Sequence, residues 1–204
     1  AYTKNPTEGD RYRLDLRTSN AFSKRFMPGI FVAYGTLDHR WKSGLNLRFI
    51  LRKSPRTEAN FEIKRDVEQF GMNGLLDQGE VFTSLLRTGS IAPLSEVIRA
   101  EASLLHEFGK GFSGFVEGRH RRVAAIGDWD FKDPEDGSPL DQLITTELTG
   151  ILRYAFQERF VSGEFERISL GTEWPIVTGT ATWGLPGVLG SQYNYLRSTL
   201  DAED

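Results

Sequence analysis

The sequence contains no cysteine, which excludes a disulfide framework, a cysteine-ligated metal and a thiol nucleophile. It has no run approaching the ~18 consecutive apolar residues of a membrane-spanning helix. Residues 1–30 also lack the apolar stretch of a signal peptide, so the expectation is a soluble mature protein with no membrane partner. An excess of basic residues is missing as well. The formal net charge of −3 rules out a wholesale polycation, so any nucleic-acid contact would rest on a local patch. Histidine is scarce: His39, His106 and His120 fall on three different expected elements without metal-ligand spacing. Neither a Ser–His–Asp set nor a Gly-x-Ser-x-Gly elbow is found, and GKGFSG at 109–114 lacks the Lys-Ser/Thr ending of a phosphate-binding loop. No cofactor and no metal is expected.

What is present fits one domain spanning residues 1–204. Glycine at 21 residues and aromatics at 12% run high, favouring strands and tight turns over a helix bundle.

Alternation of Tyr12, Leu14 and Leu16 with Arg11, Arg13, Asp15 and Arg17 predicts a half-buried strand with a charged outer face. Residues 30–37 are apolar on both faces and predict a strand inside a sheet. Residues 45–53 and 59–67 predict a hairpin, with Lys53 opposite Ala59 and with Leu47, Phe49, Leu51, Phe61 and Ile63 buried.

Residues 80–87 read as a short helix, and apolar residues at helical spacing from Pro93 to Phe108, followed by Gly109, predict a longer one. Residues 112–131 read as two strands broken near Gly118. The capping signal Ser138-Pro139-Leu140-Asp141 predicts a second long helix running to about Phe160. Strand signals return in FERISL and WPIVTGTATW, and 185–195 reads as loop. The expected fold is α+β: a mainly antiparallel sheet with two longer amphipathic helices packed on it.

Three clusters carry chemistry. Asp38, Glu62 and Lys64 have the acid and Glu-x-Lys form in which carboxylates hold a divalent cation and the lysine assists water attack on a phosphodiester. The loop GDWDFKDPEDG at 127–137 brings together Asp128, Asp130, Asp133, Glu135 and Asp136. Its spacing departs from a Ca²⁺ loop, and an acidic turn is the better reading. Arg119 and Arg121, placed on the opposite strand face from His120 and Arg122, combine with Arg48, Arg52 and Lys64 as a nucleic-acid-binding patch. Pairing with the many acids of this chain is the competing reading.

The function expected is a non-enzymatic, self-assembling structural subunit such as a viral coat or virion protein. It would work as a homo-oligomer through the chain ends and the aromatic residues Trp174, Trp183, Tyr193 and Tyr195. The alternative is a metal-dependent nuclease using Asp38, Glu62 and Lys64.

Overall fold

The computed structural model describes residues 1–5, 7–69, 94–127, 131–132, 137–163 and 165–203. Within them the chain is all-β, and no helix reaches seven residues. The strands are β1 Tyr2–Asn5, β2 Gly9–Arg17, β3 Phe26–Gly35, β4 Trp41–Lys53, β5 Arg56–Gln69, β6 Leu94–Gly109, β7 Phe112–Ala125, β8 Phe131–Lys132 and β9 Pro139–Leu140. There follow β10 Gln142–Ala155, β11 Arg159–Ser162, β12 Arg167–Gly171, β13 Ile176–Gly184 and β14 Tyr195–Glu203. Ten of them form one antiparallel meander in the order β1-β2-β3-β4-β5-β6-β7-β10-β13-β14. The hairpins β8–β9 and β11–β12 lie outside that sheet.

Both long helices of the sequence reading are strands, which overturns the α+β expectation. On β6 the residues Ile98, Ala100, Ala102, Leu104 and Phe108 share one face, and Ser95, Arg99, Glu101, Ser103 and Glu107 the other. A period of two governs the segment. The helical impression came from Val97, whose contact with Phe131 of β8 puts an apolar residue on the polar face. On β10 the β-branched Ile144, Thr145, Thr146, Thr149 and Ile151 favour extended backbone over helix. The Ser-Pro-Leu-Asp segment forms β9 against β8 instead of capping a helix. Gly109 ends β6 at a tight turn in which Lys110 and Gly111 both have positive φ, the backbone of a two-residue hairpin. A glycine after an apolar run reads alike as helix stop or hairpin turn. β7 continues through Gly118 without the expected break. The short helix expected over 80–87 lies outside the described residues.

The 45–67 hairpin forms, in a different register. Phe49 lies opposite Ala59 and Lys53 opposite Arg56, with a bulge between Ile50 and Arg52 and Ser54-Pro55 as the turn. The shift from the expected pairing is an even number of residues, so the apolar row still shares one face. That face is the open one: Leu51, Phe61 and Ile63 are exposed, while Ile50, Arg56, Glu58 and Asp66 on the other face are buried. The same inversion holds on β2, where Leu14 is 63% exposed and Arg11 only 9%.

No second sheet or long helix among the described residues covers the charged face, yet its side chains are buried. The sheet curls and the charged face is concave. Arg11 of β2 reaches Asp66 of β5, three strand spacings away, or about 14 Å in a flat sheet at ~4.8 Å per spacing. Phe165, between β11 and β12, packs on Met27 of β3 and Ile50 of β4, while its hairpin leaves the sheet between β10 and β13.

Candidate functional site

Two surfaces carry the character of this molecule: the concave charged face and the convex apolar one.

On the concave face the charges are interleaved and matched. At one rim Lys42, 3% exposed, pairs with Glu8 at 2.7 Å and with Asp38. Glu8 also meets Arg11 at 3.1 Å. Burial acts to raise the Glu8 carboxyl, but hydrogen bonds from Lys42, Asn5 and Arg11 outweigh it and hold the group below the usual glutamate range. Midway along the strands Arg99 contacts Glu62 at 3.1 Å and Glu101 at 3.2 Å. Arg119 contacts Glu101 at 2.6 Å and Glu117 at 2.8 Å, and Lys64 contacts Glu68 at 2.7 Å. The Tyr195 hydroxyl donates to Glu147. At the opposite rim Arg48 and Arg56 share Glu58 at 2.5 and 2.9 Å, and Arg167 pairs with Glu107. Such a face is polar, and its charges mostly cancel.

The convex face is apolar across all ten strands. Tyr2, Leu14, Ile30, Leu45, Phe61, Leu104, Val116, Leu152, Val177 and Leu200 represent it, one per strand. Of these only Leu45 is not among the exposed large hydrophobic residues. Isolated exposed apolar residues are ordinary; a face this continuous is not.

The apolar band has edges. Tyr2, Tyr12, Tyr34 and Trp41 stand directly opposite one another across β1 to β4, with ring centroids 5.7 Å apart for Tyr2–Tyr12 and 4.9 Å for Tyr34–Trp41. Phe26 stacks on Phe49 at 4.7 Å on the other edge of the band, and Phe112 meets Tyr154 in a tilted contact at 4.5 Å farther round the sheet. On β4 the band runs from Trp41 to Phe49, and on β7 from Phe112 to His120, beyond which Arg122 is charged.

Across β1 to β4 the aromatic row runs straight, but from β4 onward the edges slant relative to the strands. His120 lies in register with Ala100, Ile63 and Leu45, four residues along β4 from Trp41. Phe49 lies in register with Ala59, Leu104 and Val116, four residues along β7 from Phe112. Both edges therefore drift four residues over three strand spacings, in the same sense. Trp183 of β13 repeats the drift: through Leu148, Gly118, Ala102 and Phe61 it registers with Leu47, six residues from Trp41 over five spacings. With ~3.3 Å per residue and ~4.8 Å per spacing, both slopes place the strands from β4 to β13 about 40° from the normal of the band.

The sequence-derived candidates are dispersed over this frame. Asp38 sits in the turn before β4, bound to Lys42 and to the Arg40 backbone N–H. Glu62 and Lys64 lie on the concave face, 3.9 Å apart, each with a closer partner. Among the described residues no group of three His, Asp or Glu is placed to hold a metal. Asp128, Asp130, Asp133, Glu135 and Asp136 lie outside the described residues. Of the basic patch, Arg48, Lys64, Arg119 and Arg121 share the concave face, and the first three are paired with carboxylates. Arg52 lies beyond the β4 bulge and is exposed. His120 and Arg122 do face the other way, as the alternation predicts.

The sequence reading missed the concave network. Its signal was the alternation of Glu58, Glu62, Lys64, Asp66 and Glu68 along one face of β5, repeated by Arg99, Glu101 and Glu107 on β6. No family model, curated protein or solved structure matches this chain.

Proposed function

We propose that this chain forms membrane-spanning β-barrel wall, with its convex face against lipid acyl chains and its charged face enclosed as a polar interior. The slanted apolar band carries the reading. Nine residues from Trp41 to Phe49 or from Phe112 to His120 match the 9–11 residues with which a tilted strand crosses a bilayer, and a slope of about 40° matches the tilt of such strands. Aromatic residues at both edges belong at the two membrane–water interfaces. No helix among the described residues is long and apolar enough to cross a membrane. That criterion, which also underlay the expectation of no membrane contact, does not apply to strands, because alternate residues face the interior. A bilayer also requires every sheet edge to be paired, so β1 and β14 would meet each other or another strand there.

The matched concave charges favour a structural wall over a catalytic centre. Self-assembly is the second reading, because copies of the chain packed through the same convex face would bury it from water.

Reconstitution decides between them. The cysteine-free chain is given a single thiol by Leu104→Cys and refolded with phosphatidylcholine vesicles. Insertion predicts that the protein floats with the vesicles and that this thiol resists a charged maleimide while reacting with a lipid-soluble one. A water-soluble particle of many 23.0 kDa copies, indifferent to vesicles, would replace the membrane reading with assembly.

A further inference from the structure

The hairpin β11–β12 bridges the rim of the concave face at which Arg48, Arg56 and Glu107 lie. It leaves the sheet between β10 and β13, and its apex residue Phe165, 6% exposed, seats on Met27 of β3 and Ile50 of β4. Strands β5, β6 and β7 lie between β4 and β10 in the sheet, so the hairpin spans the mouth of the curl. Its attachments are few and mostly polar. The Phe165 carbonyl accepts from Arg48 Nη2 at 3.2 Å and from Arg56 Nη2 at 2.6 Å. Arg167 pairs with Glu107, its guanidinium lying 3.6 Å from the centre of the Phe160 ring. The hairpin's own strands are otherwise open to solvent: all of β11 is exposed, as are Ile168 and Leu170 of β12. Beside it a half-open pocket of about 700 Å³ is lined by Arg48, Arg56, Glu58, Glu107, Arg153 and Phe160.

A segment with one deep apolar anchor and otherwise exposed strands belongs to the low-stability end of a structure, where local opening precedes global unfolding. We infer that β11–β12 is a lid over this end of the concave face, latched by Phe165, and that its opening exposes Met27 and Ile50 to solvent. The inference concerns the concave face alone and stands whether the convex face meets lipid or another copy. The other rim supplies a reference, since Val97 and Val123 there are covered by Phe131 of the separate hairpin β8–β9.

The experiment uses three single-thiol forms of the full chain: Ile50→Cys and Met27→Cys beneath the lid, and Val97→Cys at the other rim. Reaction with a charged maleimide is slow for all three in the otherwise unchanged protein. Replacing the latch by Phe165→Ser speeds labelling at 50 and 27 by about tenfold or more, the shift expected on losing a buried apolar anchor, and leaves 97 unchanged. Arg167→Gln, which keeps the apolar anchor, produces a smaller change in the same direction. Fast labelling at 50 and 27 with the latch intact would overturn the lid, as would rates there that ignore Phe165→Ser. An equal rise at all three positions would also overturn it, making the hairpin part of the common core.

Discussion

Arg11 on β2 donates through Nη2 to both carboxylate oxygens of Asp66 on β5, at 2.8 and 3.0 Å, over the top of two intervening strands. Both side chains are about nine-tenths buried, and Glu8 accepts from Nη1 of the same guanidinium. The bond therefore acts as a chord across the curl, tying strands that the backbone ladder does not join. Removing Asp66 leaves Arg11 with Glu8 as its remaining acid partner, and removing Arg11 leaves Asp66 with Arg13 at 3.7 Å. Asp66→Ala is expected to lower stability by about 2–3 kcal/mol, the loss of one charged hydrogen-bond partner, and the double variant Arg11→Met, Asp66→Leu by less. Unfolding in denaturant measures both, and a loss below about 1 kcal/mol for the single variant would show that the chord carries no weight.

The centre and the edge of the convex band are expected to respond differently to charge. Ala102 of β6 lies mid-band, in register with Phe61 and Gly118, whereas Ala124 of β7 lies beyond Arg122. Ala102→Arg should destabilise the vesicle-inserted protein by about 2–4 kcal/mol, and Ala124→Arg by about 0–1 kcal/mol. Folding titrations into phosphatidylcholine vesicles give the two values, and equal costs would contradict a depth-dependent apolar environment.

Acid is expected to loosen the β11–β12 hairpin. Glu158, in the turn that leads into it, accepts hydrogen bonds from Arg153 at 2.6 and 2.8 Å and another from Ser169. The Arg153 bonds come first among the causes that hold its carboxyl below the usual range. A depressed folded-state value means that the contribution is complete above the ordinary glutamate value of about 4.3 and is lost as pH falls through the depressed one. A spin label at Val161→Cys, exposed on β11, should gain mobility below about pH 4. In the Glu158→Gln background that pH dependence should flatten. A line shape constant with pH in the parent would contradict the proposed clasp.

On the proposed membrane reading Trp41, 67% exposed at the end of the Tyr2–Tyr12–Tyr34 row, stands at a membrane interface. In a variant retaining only this one of the four tryptophans, its emission should shift to the blue on vesicle binding. Bromine near the lipid headgroup should quench it more than bromine at the chain end. Stronger quenching by the deep bromine would move the band edge away from Trp41.

By itself the sequence determined the strands with plain alternation: β2 from Tyr12, Leu14 and Leu16, the β4–β5 hairpin from its two apolar rows, and β12 and β13 near the end. Period two is a local property, and it also separated His120 and Arg122 from Arg119 and Arg121. It did not identify β6 and β10, where apolar residues such as Val97 and Ile151 interrupt the polar face and create helical spacing by coincidence. Nor does alternation say which face turns inward. Assuming a water-facing exterior put Leu47, Phe49 and Phe61 inside and left Glu62 and Lys64 as candidates for a metal site. Only the tertiary structure decided otherwise, through contacts distant in sequence: Arg11 with Asp66, and Phe165 with Met27 and Ile50. Those contacts fix the direction of the curl, and a curled sheet buries whatever its concave side carries. Here that side carries charge matched by charge, which leaves the apolar row facing out.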